Sequence, residues 1–152
     1  MKTLGNSPDL AEIQTRQQQL RADSTCQWGK MNAHQMLCHL SDSFQLVMGE
    51  REYEMRDNIF SRTLMKWLAL QLPLTWPRGV PTGPTVDQEI GGTPPDDFER
   101  DRARLLMLLD RFVAMRRDFQ FRPHPFFGSM SNPEWMRWGY LHCDHHLRQF
   151  GV

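Results

Sequence analysis

Between Pro73 and Pro95 the chain carries Pro77, Gly79, Pro81, Gly83, Pro84, Gly91, Gly92 and Pro94. Proline has no amide proton and fixes φ, while glycine loses more backbone freedom on ordering than any other residue. Neither a helix interior nor a central strand can be built from such a run. The stretch therefore divides the 152 residues into two halves joined by a long connection. Neither half is long enough for a core of its own, so a single domain over residues 1–152 is expected. Long ordered connections often carry function, so the crossover either covers a site or merely links the halves.

On both sides of it the start signals are helical. Ser7-Pro8-Asp9 supplies an N-cap, a proline in the first turn and an acid, and predicts a helix to about residue 22. Asn32 and Gln35 have the spacing of a capping box, and the helix they open should run to Gly49. A third helix is expected over residues 59–72, stopped by Pro73. A fourth starts near Asp96 or Asp97, with Phe98, Leu105, Leu108, Leu109, Phe112 and Phe119 at helical spacing. Asn132-Pro133-Glu134 opens the last helix and Gly151 closes it. No strand pattern or internal repeat is present, so the expected fold class is all-α.

Charge excludes one group of partners. Charged residues make up 24% of the chain and the formal net charge is zero, so there is no surplus of Lys and Arg to grip nucleic acid. Arginines do cluster at Arg100, Arg102 and Arg104, and again at Arg116 and Arg117. Acids are interleaved in the first cluster, as on a solvated helix face. The longest apolar stretch, residues 64–74, is interrupted by Lys66 and Gln71 and falls short of the ~20 residues that span a bilayer. Residues 1–24 lack the apolar core of an export signal. The three cysteines, Cys26, Cys38 and Cys143, are too few and too oddly numbered for a disulfide framework, so reduced thiols in the cytoplasm are expected.

The chemistry-bearing residues are histidines. His142, His145 and His146 sit together in the last helix. At ~100° per residue, His142 and His146 stand one turn apart and about 40° apart around the axis. Trp135, Trp138, Gly139, Gln149 and Phe150 share their face, while Arg137, Asp144 and Arg148 fall opposite. The pair therefore points inward on an aromatic stripe, with His145 at the edge of that face. Two imidazoles at this spacing can chelate one ion, although two core histidines bonded to backbone carbonyls would produce the same pattern.

A third ligand must come from another helix. His39, His34, His124 and several carboxylates qualify by chemistry, and periodicity does not decide among them. His39 shares its side with Leu46 and sits a full turn inside its helix, whereas His34 belongs to the first turn, where side chains are usually solvated. Cys38 and Cys143 adjoin candidate ligands, but neighbours on a helix point ~100° apart, so both should miss the ion.

Motifs in these segments resemble a known family. The segment from Trp28 to Asp42, with His39-Leu40-Ser41-Asp42 at its end, is similar to the start of the second helix in the DinB/YfiT-like helical-bundle superfamily. The run from His142 to Gln149 resembles that family's late helix, in which histidines four apart precede a basic residue and Gln. His124-Pro125-Phe126-Phe127-Gly128, Glu134-Trp135 and His146 to Gly151 resemble an uncharacterised bacterial branch of it. The resemblance implies a four-helix bundle with a long Pro/Gly-rich crossover and a metal triad of His39, His142 and His146. It departs at Leu147-Arg148, where many members have Arg-Gly.

Three imidazoles without a fourth protein ligand leave an open position, as catalytic rather than structural sites do. Zinc or nickel suits imidazole best. Such an ion lowers the pKa of bound water to about 7 and deprotonates a bound thiol. The expected function is a divalent-metal-dependent enzyme of transferase or hydrolase type, activating water or a small thiol for a small-molecule substrate. The resemblance favours a low-molecular-weight thiol. Asp42, one turn after His39, is a candidate base or partner of a ligand imidazole, and equally a solvated helix acid. His124 and His145 are further site candidates. The alternatives are a non-catalytic binding or stress-response module stabilised by its metal, and a metal-free homodimer packing residues 64–76 against their twin.

Overall fold

In a computed structural model of the chain, the described residues are 1–73, 75–116, 118 and 120–152. Helices run over Ser7–Gln19 (α1), Ala33–Val47 (α2), Lys66–Gln71 (α3), Phe98–Met115 (α4) and Asn132–Gln149 (α5). Among the described residues there is no strand; an isolated bridge pairs His124 with Gly128. The all-helical expectation holds. No helix among the described residues is long and apolar enough to cross a membrane.

Capping explains where the long helices start. Asn32 accepts from Gln35 N, and the Gln35 side chain accepts from Asn32 N, closing the expected box at α2. The same reciprocal pair forms at α5 between Ser131 and Glu134, one residue before the expected opening. Asp97 caps α4 by accepting from Arg100 N. At α1 the cap is Asn6 rather than Ser7, and the helix ends at Gln19, short of residue 22. The third helix differs more: residues Ser61–Met65 form a π-helical turn before α3 begins. Phe119, expected on the α4 stripe, lies outside the described residues, as do Arg117 and Leu74.

α2 packs against α4 and α5, and α1 packs against the same two helices from the other side. Trp135, Phe44 and Phe112 are fully buried where they meet. Each side chain of that size stabilises the fold by roughly 1.5–3 kcal/mol on leaving water. Gly139 lets α5 close on this core, because a Cβ there would stand 2.7 Å from Leu4 and 3.2 Å from Phe112. α3 is tied to α5 by Lys66–Glu134 and by Arg137, whose Nε donates to the Leu70 carbonyl. The crossover makes one 3-10 turn, Pro84–Val86, which lies against α2. That contact decides what the connection does: it covers the histidines.

Candidate metal centre

Three imidazoles converge from two helices. His39 comes from the middle of α2, while His142 and His146 come from successive turns of α5. His39 and His146 are buried and His142 is half-buried. Ring centroids are 5.2 Å apart for His39–His142, 4.7 Å for His39–His146 and 5.0 Å for His142–His146. One ligand atom from each lies within 4.8 Å of the other two, and among the described residues no fourth His, Cys, Asp or Glu joins the group.

The outer nitrogens of two rings are already committed. His39 Nδ1 donates to the Val86 carbonyl at 2.8 Å, in the 3-10 turn of the crossover. His146 Nδ1 donates to Gln149 Oε1 at 3.0 Å, one turn on. The Gln149 amide is oriented by its own Nε2, which donates to the Trp28 carbonyl at 2.7 Å. A neutral imidazole that spends its proton on one nitrogen offers a lone pair on the other. His39 Nε2 stands 3.2 Å from His142 Nε2. Two tetrahedral ligands at ~2.0–2.1 Å from an ion would be separated by about 3.3 Å. His142 differs in one respect, since its Nδ1 is buried with no hydrogen-bond partner.

Burial also sets the charge. It pushes the proton affinity of His39 below the ordinary range. For His142 and His146 burial lowers it well below, and the neighbouring imidazoles add to the effect. All three rings are thus neutral at pH 7, the form in which imidazole binds a cation.

Around the triad lie aromatic rings and the crossover. Trp138 stands 5.0 Å from His142, and Trp76 stands 6.0 Å from His142 and 6.3 Å from His145. Depressions of about 290 Å³ near Gly128 and about 560 Å³ near Asp101 do not touch the histidines. The half-buried side of the centre is the one shared by His142, His145 and Trp76.

Other sequence candidates fall elsewhere. Asp42 is fully buried, but its carboxylate faces away from the imidazoles in its bonding. It accepts from Arg51 Nη1, Gln88 Nε2, Thr93 N and Thr93 Oγ1 at 2.7–3.1 Å. Those four bonds fill a carboxylate's acceptor positions, so Asp42 clamps the crossover onto α2 instead of orienting a ligand or acting as a base. His124 accepts from Phe126 N and Phe127 N at 3.1 Å and stacks on Phe127, organising its own turn. Burial pushes its pKa down to about 3. His145 lies at the rim, 5.2 Å from His146 and 5.9 Å from Trp28. His34 donates from Nε2 to Asp101 at 2.7 Å, beside Cys38.

Two contacts to the triad rings carried unequal signals. Gln149 is three residues beyond His146 on one helix, so its reach was readable from spacing. Val86 offers only a backbone carbonyl in an irregular loop, and no side-chain pattern announces it.

A family model described as a protein of unknown function (DUF1569) matches residues 5–151. The chain belongs to this family. That assignment corrects the expectation of a DinB/YfiT-like superfamily member, whose motifs the sequence resembles but whose family model is not the one that matches. No curated protein and no solved structure matches significantly. The choice of His39 therefore stands on the convergence of its ring with the α5 pair, without help from the resemblance.

Proposed function

We propose that this DUF1569 protein holds one divalent cation, zinc or nickel, on His39, His142 and His146, and uses it as an enzyme of transferase or hydrolase type. The carrying observation is the direction of the protons. Nδ1 of His39 and of His146 donate outward to Val86 and Gln149, which leaves the inward Nε2 atoms as lone pairs. The third ring, His142, brings its Nε2 within 3.2 Å of His39 Nε2, so ring nitrogens from all three residues meet in one place. When bound, the ion supplies Lewis acidity, lowering the proton affinity of water or of a small thiol that reaches it. Correction of the family resemblance removes the preference for a thiol, and both nucleophiles suit the site equally.

The chain's own residues have separate tasks in this reading. Val86 and Gln149 hold two rings in the ligating tautomer, the arrangement by which outer partners tune a metal site. Trp76 and Trp138 line the centre and exclude bulk water from it. Asp42 and Arg51 keep the crossover, and with it the Val86 carbonyl, against α2. The fold is read as a four-helix bundle of α1, α2, α4 and α5, supported by the ring of pairwise contacts among them.

A second reading is a binding or stress-response module in which the ion only joins α2 to α5. Its support is that the three rings come from two helices far apart in the chain, so an ion there would tie α2 to α5. A second copy of the chain would pack on Ile59, Phe60, Leu64 and Trp67, an exposed apolar set. Elemental analysis of protein purified without chelator tests the proposal: one ion per chain is expected, lost in His39→Ala. Protein without metal, or with unchanged metal in the variant, overturns it. In cobalt-substituted protein, a visible absorption band that shifts on adding a small thiol indicates an exchangeable position and favours catalysis. A band that does not shift favours the structural module.

A further inference from the structure

The rim of the centre holds a cation and a buried polar atom that nothing else in the fold uses. Arg78 sits in the turn before Gly79, exposed, with its guanidinium 4.1 Å over the Trp28 ring. Among the described residues no acid pairs with it. On the same indole, at 5.9 Å, lies the ring of His145, whose Nδ1 is buried with no hydrogen-bond partner. Arg148 is already paired with Asp144 at 3.2 Å, which leaves Arg78 as the uncommitted charge. Trp76, from the same loop, spans His142 and His145 and joins this rim to the triad.

We propose that Arg78, carried on Trp28, and His145 Nδ1 form an anion subsite that takes the carboxylate of a small organic acid beside the three histidines. The inference deepens the metal reading, because it names the substrate class that would approach the same centre. A guanidinium presents paired N–H donors matched to a carboxylate, and stacking on an indole holds that fork in place. An orphaned buried ring nitrogen costs stability until a ligand atom meets it. The charge suits a monoanion better than a phosphate dianion. His145 lies in the last turns of α5, where the helix dipole disfavours further negative charge, and one cation faces the subsite.

Tryptophan fluorescence of the full chain reads the subsite directly, since Trp28 lies beneath Arg78. Propionate and its neutral isostere propionamide are the probes, with inorganic phosphate as a third. Wild-type protein should bind propionate at least ~10-fold more tightly than propionamide, a difference of about 1.4 kcal/mol. Arg78→Gln should bind the two alike while keeping the wild-type circular dichroism and metal content. Arg78→Lys, which keeps charge without the fork, should fall between. Equal binding of both probes by wild type, a preference that survives Arg78→Gln, or tighter binding of phosphate than of propionate overturns the inference. Elemental analysis of the same wild-type sample separates it from the reading on which it builds. A propionate preference in protein without metal sinks the metal centre alone, and bound metal without the preference sinks the subsite alone.

Discussion

Two clusters of ligand-type side chains lie along α2, and they have opposite internal bonding. In the first, His39 meets His142 and His146, and the ring protons of His39 and His146 are directed outward to Val86 and Gln149. In the second, His34, Cys38 and Asp101 also bring three ligand atoms within 4.8 Å of one another. There the donors point inward. His34 Nε2, Cys38 Sγ and Asp96 N all donate to Asp101 Oδ2, at 2.7, 3.5 and 3.2 Å. Burial, reinforced by the Asp101 carboxylate, pushes the Cys38 thiol up to about 12, so it stays protonated at neutral pH. The first cluster leaves the inward nitrogens of His39 and His146 as lone pairs, whereas the second has satisfied itself. Proximity alone does not make a cation site; the placement of the protons does.

The largest effect separating the two clusters should come from removing a ligand. His146→Ala should weaken zinc binding by more than ~100-fold, measured by competition with a chromophoric chelator, because loss of an outer partner alone costs about 10–100-fold. His34→Ala in the same assay should bind as wild type does. Equal losses in the two variants would erase the distinction. Asp101→Ala should show the converse behaviour. It leaves three donors facing a vacancy at a buried position, and should lower stability by about 2–3 kcal/mol in urea unfolding while metal content is unchanged.

A smaller effect tests the outer partners. Gln149→Leu keeps the volume but removes the acceptor for His146 Nδ1, and zinc affinity should fall by about 10–100-fold with helix content preserved. If affinity is unchanged, the tautomer is not set by Gln149. The smallest effect concerns pH. The Cys38 thiol moves from an ordinary value of 9.0 to about 12 on folding, so between these values the unfolded chain has lost a proton that the folded chain keeps. Stability from this group is therefore full below about 9 and is lost as pH rises towards 12. Cys38→Ala should flatten part of that alkaline decline, read from urea midpoints measured across the range.

The same pair of clusters shows what a sequence can and cannot convey. The α5 histidines were readable because Trp135, Trp138, Gly139 and Gln149 mark one buried face on which His142 and His146 fall. His39 was not, because α2 is buried on nearly every side: twelve residues from Ala33 to Val47 are inaccessible, including Ser41, Asp42 and Ser43. A helix without a solvated face has no stripe from which to measure orientation. The capping box at Asn32 depended only on neighbours three apart, and it was legible. The π-helical turn at Ser61–Met65 was not, since one extra residue in a turn leaves the local composition unchanged. The DinB/YfiT-like resemblance failed for a related reason. Histidines four apart share a face on any helix, so the spacing is no sign of ancestry.

X-ray absorption at the zinc edge tests the central claim most directly, since it identifies the atoms around the ion. Three imidazole nitrogens and no sulfur are predicted for wild type, with the signal abolished in His39→Ala. A sulfur neighbour, or a nitrogen shell that survives that substitution, would place the ion at Cys38 or elsewhere and contradict the account.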